Sequence, residues 1–254
     1  NKFTILGCGS SLGSPWINSF WGNCDKVNKK NQRSRCCAHI RYKNLSILID
    51  TSPDIKQQLI SNNIKNVDSI LYTHEHADQT AGIFEFRPIY FMNKKKIPIY
   101  CNLTTQKKLK SAYPWLFKSS ALYPKIMFFK NSKNNIFIEK NNIKFKIKAF
   151  NVVHGKVKTR GYLFNKIAYI SDCNGIPMKS LRMLKNLNYL IIDCFRERKH
   201  VTHFNYDEAL EIIKILKPKK SILTNLHVDF DYKKLKKKLP ANVTPAYDGM
   251  NFNF

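Results

Sequence analysis

Acidic residues are scarce in this chain: 17 aspartates and glutamates face 44 lysines and arginines, leaving a formal charge of +27 over 254 residues. A surplus of this size attracts nucleic acid and other polyanions. Lysine and asparagine recur along the whole length, however, on helices and turns alike, as a coding bias would place them. The densest runs are Lys94 to Lys96 and Lys233 to Lys238; the second, with Leu235 and Leu239, reads as a solvated helix face with its leucines turned inward. Long apolar runs are missing too. None approaches the roughly 20 residues a helix needs to cross a bilayer, so no membrane partner is expected. There is no Gly/Ser/Pro-rich linker, no repeat and no break in composition, so residues 1–254 are expected to form a single domain with a sizeable core. Seven cysteines, an odd number with no Cys-x-x-Cys pair among them, argue against a disulfide framework and for reduced thiols in a cytoplasm. No signal-peptide pattern opens the chain at Asn1, and a few native residues are expected to precede it.

Against this background one segment stands out, Thr73-His74-Glu75-His76-Ala77-Asp78-Gln79. It follows the apolar run Ser69-Ile70-Leu71-Tyr72, a buried strand by its pattern, and precedes Thr80-Ala81-Gly82, which reads as a loop-to-helix entry. Two imidazoles two residues apart, with a carboxylate two further on, suit an extended loop that points alternate side chains the same way. Such a loop offers a divalent metal two nitrogen ligands and one oxygen ligand from a single short stretch.

The stretch resembles the first metal-binding motif of the metallo-β-lactamase superfamily, His-x-His-x-Asp-His. The chain departs from it at the last position, where Gln79 replaces the usual histidine. An amide carbonyl is a weaker zinc ligand than an imidazole. The resemblance implies further ligands at strand ends downstream, a histidine, a bridging aspartate and a last histidine in that order. Three positions match. His154 closes the strand Phe145 to Val153, Asp172 follows the run Lys166 to Ile170, and His227 follows Ser221 to Thr224. Relatives with a Thr-His sequence place the last ligand where this chain has Asn225. His227 lies two residues on and would face the same side of an extended segment.

Short strands alternate with helices elsewhere. Lys2 to Leu6, Leu45 to Ile49 and Ile97 to Tyr100 read as strands, and Thr104 to Lys110 as a helix. Gly7 to Ser11 is a small-residue turn that fits no phosphate-loop spacing. Ser52 and Pro53 suit the N-cap and first position of a helix. Asn205-Tyr206-Asp207-Glu208 resembles a capping box, opening a helix whose apolar face is Ala209, Ile212, Ile213 and Leu216 and which Pro218 ends. This alternation, with ligands at strand ends, fits an α/β (α+β) chain folded as the superfamily's four-layer αββα sandwich.

Asn28 to Cys37 with its Asn-Gln-Arg-Ser-Arg-Cys-Cys run, Asp50 to Asp54, Thr202-His203-Phe204 and Pro245 to Gly249 narrow the resemblance to PhnP-like phosphodiesterases and the ribonuclease Z-related branch. That implies a metal-dependent hydrolase, most simply a dinuclear phosphodiesterase acting on a small cyclic or nucleotide-like diester. His74, His76 and His154 would hold one metal, and Asp172 would bridge to a second held by Asp78 and His227. Two metals about 3.5–4 Å apart share a hydroxide and clamp phosphate oxygens, with Asp78 orienting that hydroxide. His203 would supply the leaving group's proton. His200 and Gln79 would contact the substrate. The ligand set suits zinc or manganese, and iron or nickel as well. No role falls to His39. Arg33 and Arg35 could meet an anionic substrate, although loop arginines are usually solvated. A homodimer is compatible with the sequence. Two alternatives stand beside this reading: an RNA-processing nuclease of the same fold, favoured by the charge, and a metal-binding module without hydrolysis, suggested by Gln79.

Overall fold

The computed structural model describes residues 1–121, 123–131 and 134–254. Among these the strands are β1 (Lys2–Gly7), β2 (Cys37–Tyr42), β3 (Leu45–Ile49), β4 (Ser69–Leu71), β5 (Ile97–Tyr100), β6 (Met127–Phe129) and β7 (Asn135–Lys140). They continue as β8 (Ile143–His154), β9 (Val157–Phe164), β10 (Ile167–Ile170), β11 (Tyr189–Asp193), β12 (Lys220–Thr224), β13 (Val243–Pro245) and β14 (Met250–Asn253). The helices used below are α1 (Ile55–Ser61), α2 (Ala77–Thr80), α3 (Arg87–Asn93), α4 (Leu103–Ala112), α5 (Pro114–Phe117), α6 (Met178–Leu181), α7 (Tyr206–Leu216) and α8 (Tyr232–Lys238).

The strands form two sheets, ordered β14-β1-β2-β3-β4-β5-β6 and β13-β12-β11-β10-β9-β8-β7. Each is antiparallel along one half and parallel along the other: β3 to β6 run parallel in the first, and β10 to β13 in the second. A parallel pair needs a crossover, and the crossovers place helices on the outer face of each sheet.

Three buried apolar clusters account for four layers. Phe3, Ile5, Ile47, Ile49, Phe145, Ile147, Tyr169, Ile191 and Ile222 meet between the sheets. Leu48, Ile70 and Ile99 turn the other way and pack with Ile55 of α1 and Leu109 of α4. Ala168, Ile170, Leu190, Ile192 and Leu223 pack with Ala209 and Ile213 of α7 and Leu235 of α8. Successive strand residues therefore bury both faces, which is why Leu45 to Ile49 and Tyr189 to Ile192 read as nearly unbroken apolar runs. Each such aliphatic side chain contributes about 1.5–3 kcal/mol on burial. The αββα sandwich expected from the sequence is the architecture observed.

The helix starts test local chemistry. Asn205 caps α7 through its side chain on Glu208 N, and the Glu208 side chain returns the bond to the Asn205 N–H, a complete capping box. The start expected at Ser52 and Pro53 is not used. The first helix begins at Ile55, and Ser52 Oγ accepts from Asp54 N at 3.2 Å. Arg33 is not a solvated loop residue either. It is 2% exposed, donating to Asn31 Oδ1 and to the carbonyls of His227 and Phe230, whereas Arg35 pairs with Asp54 at 3.0 Å.

No helix among the described residues is long and apolar enough to cross a membrane. The feature that positions a site is at one edge of the sandwich. The carboxyl ends of β3, β4, β8, β10, β11 and β12 run into Asp50, His74, His154, Asp172, Asp193 and Asn225. Carboxyl ends of parallel strands form the usual crevice of an open α/β sheet.

Candidate metal centre

The expected extended loop is only half observed. His76 has extended backbone, φ −63° and ψ 149°, but it is the N-cap of α2, and Asp78 lies in that helix's first turn. The loop is bound to the neighbouring strand end: Thr51 N donates to the Gln79 carbonyl at 2.8 Å, and Gly82 N to the Thr51 carbonyl at 3.0 Å. Gly82 is required by that approach, since a Cβ there would sit 2.1 Å from the Ser52 carbonyl oxygen.

Three imidazoles converge. The rings of His74 and His76 are 4.4 Å apart, and each lies 5.2 Å from that of His154. One ligand atom from each lies within 4.8 Å of the others, and the same holds for His154, Asp172 and His203. His74 Nε2 and His76 Nδ1 are 2.9 Å apart.

The surrounding groups select tautomers. His154 Nδ1 is 2.7 Å from the Thr202 carbonyl, which can only accept, so Nδ1 carries the proton and Nε2 keeps its lone pair. His74 Nδ1 is 3.0 Å from Thr73 Oγ1, which in turn lies 2.9 Å from Asp50 Oδ2. When Asp50 is ionised, the Thr73 hydroxyl donates a hydrogen bond to it and accepts one from His74 Nδ1–H, which leaves His74 Nε2 free as well. Burial pushes the Asp50 carboxyl well up, opposed by the Thr73 amide and hydroxyl. A cation at the imidazoles would favour its ionised form.

Burial also depresses His74, to about 3, and lowers His154, so both rings stay neutral, the form that ligates. Asp172 is fully buried, which by itself disfavours its charge. The facing imidazoles of His74, His203 and His154, with the positive charge residing on His203, outweigh that and hold it below the ordinary carboxylate value. Neutral imidazoles with free lone pairs and an ionised carboxylate in reach fit a divalent cation.

His203 belongs to a second unit. Its Nδ1 is 2.8 Å from Asp193 Oδ2, and that oxygen also accepts from Cys173 N at 2.8 Å. Burial disfavours the imidazolium, yet Asp193, Asp172 and Asp78 more than compensate and raise His203 to about 9. Burial raises Asp193 to about 7 against the pull of His203, so the pair keeps its proton at neutral pH. With Nδ1 engaged, Nε2 is the nitrogen left for a substrate.

His200 lies at the rim, its ring 5.1 Å from that of His203 and its Nδ1 3.1 Å from Thr202 Oγ1. Asp78 is raised to about 6 by burial and by Asp172. Gln79 is wholly buried, with Nε2 3.3 Å from both Asp78 Oδ2 and Asp172 Oδ2.

His227 is the residue the structure sets apart. Its ring lies 5.7 Å from Trp16 and 5.0 Å from Phe195, and its Nδ1 pairs with Asp229 at 3.2 Å. Asn225 has φ 61°, a left-handed conformation that breaks the alternation of an extended strand. The side-chain pattern therefore does not carry two residues on, and Asn225 rather than His227 meets Asp172, at 3.4 Å.

Sequence reasoning missed Asp193, Thr73 and Asp50 as site residues. The signal was present for the two carboxylates: an aspartate directly at the end of a buried apolar strand, as at Asp172, recurs at Asp50 and Asp193. Burying such a charge is costly unless it is partnered, so its placement points to a partner.

Comparison with known proteins gives the family and the fold. The model of the beta-lactamase superfamily domain matches residues 46–225. The crystal structure of a new diphosphatase from the PhnP family superposes with a TM-score of 0.88 at 30% identity, covering 100% of this chain and 96% of that one. The short form of human tRNase Z shares the fold, with a TM-score of 0.68 at 16% identity over 100% of this chain and 99% of that one. An octanoyltransferase of Porphyromonas gingivalis (strain ATCC BAA-308 / W83) is 25% identical over 250 residues, 97% of this chain; the chain spans 50% of that protein's length. The chain belongs to the metallo-β-lactamase superfamily, in its PhnP-like branch.

Proposed function

We propose that this superfamily hydrolase is a metal-dependent phosphodiesterase acting on a small cyclic or nucleotide-like diester. The observation that carries the reading is the pairing of two units at one strand edge: the imidazole cluster with Asp172, and His203 held by Asp193 beside it. A divalent cation held by His74, His76, His154 and Asp172 would polarise a phosphoryl oxygen and lower the pKa of water.

The chain's own residues supply the rest. The Thr202 carbonyl and Thr73 hydroxyl hold two ligand rings in the tautomer that exposes Nε2. Asp193 fixes His203 by Nδ1, leaving Nε2 to protonate the departing ester oxygen, which a diester requires because an alkoxide leaves poorly. His200 stands close enough to His203 to meet a phosphate oxygen at the rim. A second reading, cleavage of a diphosphate linkage, is favoured by the likeness to the PhnP-family diphosphatase. A diphosphate ester presents the same phosphorus between two bridging oxygens, so the same residues would serve.

The test uses protein stripped with chelator and reloaded with zinc or manganese. Turnover of bis(p-nitrophenyl) phosphate that returns with metal and is absent on the p-nitrophenyl monoester is expected. Faster cleavage of a dinucleoside diphosphate than of any diester would favour the second reading. Metal-dependent cleavage of a carboxylic ester, with none of either phosphate, would overturn both.

A further inference from the structure

The superfamily's two-cation arrangement does not fit this chain. We infer that the protein holds one divalent cation, at His74, His76, His154 and Asp172, and that the side-chain amides of Gln79 and Asn225 stand in for a second. The inference concerns the metal count and holds whichever ester is cleaved.

Three carboxylates, Asp78, Asp172 and Asp193, are linked to one another through two side-chain amides. Such a group needs positive charge or hydrogen-bond donors between its members. The structure supplies donors. Gln79 Nε2 lies 3.3 Å from Asp78 Oδ2 and 3.3 Å from Asp172 Oδ2. Asn225 Nδ2 lies 3.4 Å from Asp172 Oδ1, 3.1 Å from Asp193 Oδ1 and 3.1 Å from His203 Nδ1. Both oxygens of Asp172 thus face an amide NH₂. That group has two hydrogens and no lone pair available for a metal.

Turning either amide over would set its carbonyl oxygen against two carboxylate oxygens, so the hydrogen-bond pattern fixes which end faces inward. The imidazoles that could complete a second site are otherwise engaged, His203 keeping its Nε2 for the substrate in the proposed reaction. His203 is bound to Asp193, and His227 is paired with Asp229 between Trp16 and Phe195. With Asp193 taken up by Cys173 N, His203 and Asn225, a second cation would find among the described residues only Asp78 and a shared oxygen of Asp172, short of the four ligands a closed site uses or the three of an open one. One route around this exists. Gln79 Oε1 is buried without a hydrogen-bond partner, and a rotated Gln79 could offer it to a cation.

Metal counting decides the matter without reference to activity. Protein loaded with excess zinc or manganese and then desalted is expected to retain one ion per chain by mass spectrometry, with manganese giving the spectrum of an isolated ion in electron paramagnetic resonance. The Gln79→His/Asn225→His double variant, checked for native circular dichroism, is expected to retain two, with coupling between manganese ions. His76→Ala is expected to lose the single ion. Two ions per chain in the unmodified protein would overturn the inference, whether or not the double variant folds. One ion in both the unmodified protein and a folded double variant would overturn the role given to the amides.

Discussion

Two corners of one site meet at Asp172 and solve the same electrostatic problem with different chemistry. On one side the rings of His74, His76 and His154 converge, and the far sides of His74 and His154 are held by a hydroxyl and a carbonyl. On the other, Gln79 and Asn225 present N–H groups to carboxylates. Burial is nearly complete in both, since His74 and Gln79 are each 0% exposed. The difference lies in what the groups touching each side chain demand. A carbonyl against Nδ1 leaves a lone pair aimed at a cation, whereas crowded carboxylates around an amide leave only hydrogens facing inward. The environment of a polar group decides whether it is a ligand or a substitute for one.

The comparison can be broken most forcefully at the shared residue. Asp172→Ala is expected to remove most bound metal and lower diester turnover by about 10³-fold or more, because several kcal/mol of charge stabilisation are lost with the cation. His203→Ala is expected to lower turnover about 10²–10⁴-fold while leaving the metal count unchanged, as loss of a proton donor should. Equal metal loss in both variants would place His203 among the ligands and remove its separate role.

A smaller effect sharpens the imidazole corner. Thr73→Val removes the hydroxyl between Asp50 and His74 Nδ1. Metal affinity is expected to fall about 10–100-fold, with Thr73→Ser restoring it, in an equilibrium competition against a chelator. Unchanged affinity in the valine variant would mean that Asp50 and Thr73 serve the fold alone.

His39, on β2 and in neither corner, shows what burial alone does to an imidazole. Burial, with Arg41 and Lys2 nearby, lowers it to about 4, and Ser46 Oγ lies 2.9 Å from its Nε2. Its folded value lies below the unfolded one, near 6.5, so the unfolded chain binds the extra proton first. The favourable neutral state is fully present above pH 6.5 and is lost as pH falls from there to about 4, costing about 3 kcal/mol. Urea unfolding of metal-free protein should show the unmodified chain losing about that much more than His39→Gln across this interval. Parallel losses would show that His39 titrates normally in the folded state.

Most of the fold was legible because it rests on local patterning. Leu45 to Ile49 and Ile97 to Tyr100 were read with the bounds observed, and the capping box at Asn205 is complete. These features depend on side-chain period and on hydrogen bonds within three residues. Ser52 misled for a related reason: its hydroxyl does bond to a nearby N–H, but of a turn preceding the helix rather than of its first turn.

The sequence by itself determined which residue types were available: the His-x-His-x-Asp segment, the histidine and aspartates at the ends of apolar strands, and the amide where an imidazole is usual. Those facts rest on the order and periodicity of the residues and, for the amide, on the family resemblance, none of which needs a third dimension. Only the tertiary structure decided which of them meet. It brought His154 to His74 across two sheets, joined His203 to Asp193, and used the positive φ of Asn225 to send that amide, and not His227, to Asp172. Hydrogen bonds act over about 3 Å, and distances of that order between residues 53 or 93 positions apart are set by the packing of strands, not by the order of the chain.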